Sequence, residues 1–177
     1  MPRHRQISDA RIYDLTRRLL ASGGARAVTF AAVAKQSGLS GPSLVQRYQS
    51  REAMLRAALI AGWDNLDAAT DAAIASASAS PKGLTALLKT LAPDDLALPA
   101  SELKVLTADL SDPVLRLRAL SWRSRMIAAI AVRLKGKDPD GAEMIFAAWQ
   151  GRLLWSAAGT DGFRLRDLQK RLNKSES

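Results

Sequence analysis

The sequence has no cysteine and a single histidine, and this scarcity excludes several kinds of site. Disulfides, thiolate zinc sites and cysteine nucleophiles require a residue that the chain lacks. His4 lies in a basic N-terminal stretch, so we expect neither a histidine metal site nor a Ser-His-Asp triad. The segment Gly38-Leu-Ser-Gly-Pro-Ser lacks the Lys-Ser/Thr pair of a P-loop. The chain is therefore expected to hold no metal or cofactor and to have no enzymatic activity.

Aromatic residues are few and long apolar runs are missing. The aromatic fraction is 5%, and no apolar run approaches the ~20 residues of a membrane span. The basic start lacks the apolar stretch of a signal peptide, so we expect a cytoplasmic protein with no membrane partner. The 47% of hydrophobic residues, rich in Ala and Leu, suffice for a core and favour helices over strands.

The positive charge is concentrated at one end of the chain. Residues 1–60 contain ten lysines and arginines against three acids, a balance of +7, whereas the remaining 117 residues have a balance of +2. A basic first third beside a nearly neutral remainder indicates contact with a polyanion. A basic, solvated surface without a partner is the alternative that composition leaves open.

Capping residues and apolar periodicity predict an all-α protein of about nine helices. Proline and glycine mark most of the boundaries, and no segment has the pattern of a strand or hairpin. The predicted helices span about 9–21, 30–38, 41–48, 51–75, 84–91, 101–110, 112–134, 139–158 and 163–172.

The second and third of these helices have the spacing of a helix-turn-helix. Ala34 is small where the two helices would cross, and Gly38, four residues later, stands where the backbone turns with positive φ. Leu44, six residues further, and Tyr48 would hold the third helix onto a core that includes Val33. A helical hairpin with no DNA contact would show a similar pattern.

The stretch GARAVTFAAVAKQSGLSGPSLVQRYQSREAML, residues 24–55, resembles the N-terminal domain of the TetR family of transcriptional regulators. The resemblance covers residues 8–60 without gaps. It implies a DNA-binding helix-turn-helix domain with a basic arm at 1–50 and a helical ligand-binding and dimerisation domain at 51–177. The chain departs from the family pattern at Gly41-Pro42 and at Val45, which replace more usual polar contacts.

The third helix supplies the candidate DNA contacts. On a helical wheel Gln46 and Pro42 lie opposite Leu44 and Tyr48, and glutamine is suited to adenine. The resemblance implies phosphate contacts near the helix starts. A solvated surface is the alternative for the two arginines. The candidates are Thr29, Ser40, Gly41, Pro42, Ser43, Val45, Gln46, Arg47 and Arg51.

The later helices supply weaker candidates. The resemblance implies a cavity for an unidentified small-molecule effector, for which we select Trp63, Arg118, Trp122, Met126 and Phe146. Helix 139–158 is apolar on more than one face, as expected where a second subunit packs on it. Trp149, Gly151 and Trp155 are its candidate interface residues. A central core helix in a monomer is the alternative.

Together these features predict a homodimeric repressor that a small molecule releases from a palindromic DNA site. Two alternatives remain at this point. One is a helical protein-interaction module, although such a module has no reason to keep a balance of +7 in its first third. The other is a DNA-binding regulator without an effector.

Overall fold

The computed structural model describes residues 7–92, 108–134, 139–156 and 167, and all regular structure within them is helical. This confirms the predicted all-α class. The basic arm, the predicted helix at 163–172 and most of that at 101–110 lie outside the described residues. The helices are α1 Asp9–Gly23, α2 Phe30–Ser37, α3 Gly41–Tyr48, α4 Arg51–Ser76, α5 Pro81–Leu91, α6 Pro113–Ala131 and α7 Pro139–Ser156, with a 3₁₀ turn at Ala25–Ala27. In the part of the chain so described, no helix has the length and apolarity of a membrane span.

Side-chain caps set the starts of the helices. The hydroxyls of Thr29, Ser40 and Ser50 each accept a hydrogen bond from a backbone N–H three residues later, at 3.0–3.2 Å. The Asp112 carboxylate accepts from two N–H groups at the start of α6. These bonds satisfy amides that have no partner within the helix.

Helix α5 begins three residues earlier than predicted. Ser80 accepts from the Gly83 N–H at 3.1 Å, and Pro81 fits the first helical position because its missing N–H would have no partner there. A Cβ on Gly83 would lie 1.8 Å from the Ser78 carbonyl oxygen, so only glycine permits this close approach. The Ala-Ser repeat therefore ends in a defined cap.

The described residues divide into two compact units. The first contains 7–65 and 108–116, with α1 to α3 and the start of α4. Its fully buried side chains include Ile12, Val28, Val33, Leu44 and Met54. These come from α1, α2, α3, the start of α4 and the loop after the 3₁₀ turn, so one core fixes the helix-turn-helix.

The second unit contains 66–92, 117–134 and 139–156 among the described residues. Its main core is formed by α5, α6 and α7 around Leu84, Met126, Ile130, Ile145 and Trp149, each at most 2% exposed. A buried arginine closes the end of α4 in the same unit. Arg133 donates to the carbonyls of Ile74 and Ala77 at 2.7 Å, which stabilises the negative end of that helix.

Candidate functional site

The turn between α2 and α3 has the predicted geometry. Gly38 adopts the left-handed conformation, φ 79° and ψ 6°, and its N–H donates to the Ala34 carbonyl at 2.9 Å. A side chain at this φ would be strained, which confirms the reason for a glycine here. Leu44 is fully buried and Tyr48 is 8% exposed, so α3 packs on the core through these two residues.

The opposite side of α3 faces solvent. Pro42, Ser43, Val45 and Gln46 are all exposed, and Val45 leaves 45% of its surface open. A Cβ on Gly41 would meet no other atom within 4 Å. The first unit therefore presents a helix face with no partner elsewhere in the described chain, composed of small, polar and aliphatic side chains.

Two of the predicted phosphate contacts serve as helix caps. Thr29 Oγ1 accepts from the Ala32 N–H at 3.1 Å, and Ser40 Oγ accepts from the Ser43 N–H at 3.2 Å. The hydroxyls of Ser40 and Ser43 also lie 2.7 Å apart. Both caps are exposed, and each marks a helix N-terminus, where backbone N–H groups and the helix dipole favour an anion.

Arg47 is held against the start of α1 by three contacts. Its Nε lies 2.9 Å from Asp9 Oδ1, its Nη1 donates to the Ile7 carbonyl at 3.0 Å, and its guanidinium carbon lies 5.9 Å from the centre of the Tyr48 ring. The Arg47 side chain still leaves 35% of its surface open. A residue selected from the helical wheel as a DNA contact thus pairs with an acid of its own chain.

Tyr48 shares the same carboxylate oxygen. Its hydroxyl donates to Asp9 Oδ1 at 2.5 Å, and its ring packs against Tyr13 with the centroids 6.2 Å apart. Burial raises the pKa of Tyr48, and the hydrogen bond to the Asp9 carboxylate raises it further. The phenol therefore stays neutral and remains a donor at physiological pH. No sequence signal connects Asp9 to α3, because 38 residues separate it from Arg47.

Arg51 connects the start of α4 to the loop before α2. Its Nε donates to the Val28 carbonyl and its Nη2 to the Ala25 carbonyl, both at 2.8 Å, while Nη1 pairs with Glu52. Two of its three nitrogens thus hold the backbone of the preceding loop. The sequence pattern does not reveal this positioning role, because it predicts only a phosphate contact for Arg51.

Trp63, selected for an effector cavity, lies in the first unit and is 8% exposed. It lies beside the buried carboxylate of Asp109. Burial raises the pKa of Asp109 to about 6, against the opposing effects of the Trp63 hydrogen bond and the Arg17 charge. Arg17 packs directly on Gly62, where a Cβ would lie 2.9 Å from the guanidinium carbon. Trp63 is therefore part of a buried polar cluster between α1, α4 and residues 108–112.

Three other effector candidates pack inside the second unit. Met126 is fully buried, Phe146 is 8% exposed and Trp122 is half-buried. The rings of Trp122, Phe146 and Trp149 form a triangle with centroids 5.8–6.4 Å apart. The Trp122 indole donates to the Thr70 hydroxyl at 2.9 Å. Spacing along α6 and α7 could not distinguish such core residues from residues that line a cavity.

Arg118, the last effector candidate, belongs to an ion cluster between α4 and α6. Its Nη2 lies 2.8 Å from Asp67 Oδ2, and Arg125 binds the other oxygen of the same carboxylate. Arg125 also pairs with Asp71 at 3.2 Å. Two guanidinium groups thus converge on Asp67 in the second unit, and the Arg118 side chain leaves 32% of its surface open.

Helix α7 exposes an apolar face. Met144, Leu154 and Trp155 leave 50%, 44% and 63% of their surfaces open, and a Cβ on Gly151 would meet nothing within 4 Å. Residues 144, 151, 154 and 155 recur at helical spacing on one side. Trp149, also selected for a subunit interface, instead packs in the core of its own chain at 2% exposure. Of the two tryptophans, only Trp155 lies on the exposed face.

The first unit matches a known family. Residues 12–58 match the family model described as bacterial regulatory proteins, tetR family. The match spans most of α1, all of α2 and α3, and the first turns of α4.

Solved structures match nearly the whole chain. A candidate transcriptional regulator from Saccharomonospora viridis, in complex with choline, is 19% identical with a TM-score of 0.70, over 94% of this chain and 93% of that one. One from Pseudomonas aeruginosa PAO1 is 15% identical with a TM-score of 0.73, over 98% and 92%. The multidrug binding protein EbrR, complexed with malachite green, is 20% identical with a TM-score of 0.68, over 94% and 96%. The curated proteins compared with the chain gave no match. At identities this low, the matches establish a shared fold alone.

Proposed function

We propose that the chain is a homodimeric repressor of the TetR family that a small-molecule effector releases from a palindromic operator, because residues 12–58 match the model of that family's regulatory proteins. The observation that carries this proposal is the exposed face of α3. Buried Leu44 and Tyr48 fix the inner side of α3 on the core, while the outer side of the helix is open and could enter a groove of DNA. The +7 balance of the first 60 residues supplies attraction to the phosphates.

Gln46 is the proposed base contact, because its exposed amide offers a donor and an acceptor that match adenine in the major groove. Val45 offers a methyl surface suited to thymine. Gly41, Pro42 and Ser43 would allow the start of α3 to come close to the DNA backbone. Specificity would then depend on few side chains and on the spacing of two half-sites.

Thr29, Ser40 and Arg51 remain proposed phosphate contacts. The first two present helix N-termini to the phosphate, which is a favourable geometry for anions. The Nε and Nη2 groups of Arg51 already bind the carbonyls of Val28 and Ala25. Arg51 would therefore reach a phosphate only through its remaining guanidinium N–H groups. A protein that acts on genomic DNA in this way would work in the bacterial cytoplasm.

The exposed face of α7 supports a homodimer. Three large apolar side chains lie beside a glycine that lets another backbone approach, so a second copy of α7 is the natural partner. Trp155 is the proposed anchor, since large aromatics contribute most to interface energetics. Two copies would supply the two α3 helices that a palindrome requires.

The effector is proposed to bind in the second unit, next to the half-buried Trp122 and the partly open Arg118. Two proteins of the same fold are complexed with small molecules, choline in one case and malachite green in the other. Met126 and Phe146 are packed among other core residues, so an effector would have to displace them. Binding would act by favouring one of two conformations of the body.

A charge placed on α3 tests the DNA-binding part. We would compare Ser43→Asp with Ser124→Asp, two exposed serines that receive the same charge, one on α3 and one on α6. The probe is the DNA that flanks the protein's own gene, measured by gel shift with random-sequence competitor. We expect Ser43→Asp to abolish binding and Ser124→Asp to retain it. Equal binding by both variants would refute α3 as the DNA contact.

Choline and malachite green serve as probes for the effector part. Each is titrated into the preformed protein–DNA complex while the anisotropy of labelled DNA is followed. Release of DNA by either compound supports a ligand-responsive repressor. Binding of a compound, seen as a change in tryptophan fluorescence, without release of DNA would argue for a regulator that no such ligand controls.

A further inference from the structure

The ion pair between Asp9 and Arg47 joins the start of α1 to the last turn of α3. Asp9 Oδ1 lies 2.9 Å from Arg47 Nε, and the side chains leave 50% and 35% of their surfaces open. Arg47 is the one arginine within α3. Its charge is therefore already paired within the chain, on the helix that would contact DNA.

Arg47 can break its pair with the Asp9 carboxylate without leaving a buried polar group of the core unpaired. Tyr48 is buried, and its hydroxyl donates to the same Oδ1 at 2.5 Å. When Arg47 turns away, Tyr48 keeps its acceptor and no buried polar group loses its partner. Arg47 gives up one exposed ion pair, one bond to the Ile7 carbonyl and its contact with the Tyr48 ring. An exposed pair of this kind contributes little to stability, so a DNA phosphate can compete for the guanidinium.

We infer that Asp9 is a specificity-determining residue for DNA binding, because it holds Arg47 away from the phosphates of random DNA, where no base contact offsets the loss of the ion pair. The inference rests on the proposed function. With Arg47 held, sequence-independent attraction is smaller by one phosphate contact, and the contacts of Gln46 contribute more to where the protein binds. Without the Asp9 charge, Arg47 is available to every phosphate, and discrimination between sequences falls.

Asp9→Asn tests this with little disturbance of the fold. The asparagine carbonyl still accepts the Tyr48 hydroxyl, while the charge that attracts Arg47 is gone. Asp14→Asn is the matched control: Asp14 is also an exposed acid of α1, its side chain is 47% open, and it pairs with Arg18 and not with α3. Both variants change the net charge by the same amount. Thermal unfolding of each variant checks that the fold is intact.

The probes are random-sequence duplex DNA and the DNA flanking the protein's own gene, each titrated across a range of salt. For Asp9→Asn we expect about two- to fivefold tighter binding to random DNA, because the exposed pair that no longer has to break is weak. The slope of log K against log salt should be steeper by about 0.9, the value for one added phosphate contact. The ratio of specific to random affinity should fall. Asp14→Asn should leave the slope unchanged. In Arg47→Ala, a further Asp9→Asn change should have no effect on the slope.

The outcomes separate this inference from the proposed function. Wild-type protein that binds neither probe would overturn both. Wild-type binding with Asp9→Asn equal to Asp14→Asn would overturn the inference alone. Weaker binding by Asp9→Asn at an unchanged slope would also overturn it, because the pair would then serve only to hold α3 in place.

Discussion

The guanidinium of Arg51 donates a 2.8 Å hydrogen bond to the backbone carbonyl of Val28, 23 residues earlier in the chain. Together with the bond to Ala25, it fixes the loop before α2 to the start of α4. The position of the helix-turn-helix on its core depends on this contact as well as on apolar packing.

Arg51→Ala should therefore destabilise the protein. Loss of two charge-assisted bonds to carbonyls is expected to lower the free energy of unfolding by about 1–3 kcal/mol. Arg18→Ala is the matched control, because Arg18 is 72% exposed and forms only an i,i+4 pair that contributes less than about 0.5 kcal/mol. Urea denaturation followed by circular dichroism measures both. Equal effects would show that the carbonyl contacts of Arg51 do not stabilise the fold.

Gln46→Ala should change sequence preference rather than overall affinity. We expect a loss of about 1–3 kcal/mol at one base position of each half-site. The slope of log K against log salt should stay constant, because glutamine carries no charge. Binding to a library of operator variants gives the preference at each position. A uniform loss across all variants would argue against Gln46 as a base contact, provided that helicity is unchanged.

Trp155→Arg should separate the dimer into folded monomers. If Trp155 lies between two subunits, the change buries an unpaired charge there, which costs several kcal/mol. Leu117→Arg is the control, since Leu117 is an equally exposed apolar residue, 69% open, on α6 instead of α7. Light scattering at micromolar concentration gives the mass. A wild-type monomer, or a dimer in both variants, would contradict an interface at Trp155.

Asp109 should make the protein less stable as pH rises. Its pKa is raised to about 6 in the folded state from a usual value of 3.8, so the folded state binds the proton more tightly than the unfolded chain. The free energy of unfolding contributed by this group therefore falls between about pH 4 and pH 6. Asp109→Asn removes the buried charge, and we expect a gain of about 3 kcal/mol at pH 7. Stability measured from pH 4 to pH 8 should show this difference vanishing in acid.

Asp112→Asn is the control, because the pKa of Asp112 is shifted in the opposite direction to that of Asp109. The hydrogen bond from Arg56 lowers the pKa of Asp112, so its stabilisation is present above the usual pKa and is lost as pH falls. Asparagine keeps the cap of α6, because its carbonyl also accepts from N–H groups. The variant should therefore lose stability at neutral pH and little in acid. A parallel pH response of the two variants would contradict both assignments.

Local signals in the sequence predicted the helices well and the roles of the polar side chains poorly. Gly38, Thr29 and Asp112 act on their immediate neighbours, so spacing was enough to predict the turn and the helix starts. Asp9 and Arg47 meet across 38 residues, and Arg51 and Ala25 across 26. Such pairs depend on how the helices pack, which periodicity does not encode. For the same reason a helical wheel could not show that Trp149 is buried in the core and Trp155 is exposed.

The contacts on either side of the Ala-Ser repeat limit its length, although the cap of α5 does not. An added Ala-Ser pair would still place a serine directly before Pro81, and the cap would be unchanged. The repeat is nevertheless held at both ends, by Arg133 at the Ile74 and Ala77 carbonyls and by the contact of Ser78 with Gly83. Extra residues would have to bulge outward between these two anchors. A repetitive, low-complexity segment thus forms a joint whose length the protein cannot vary freely.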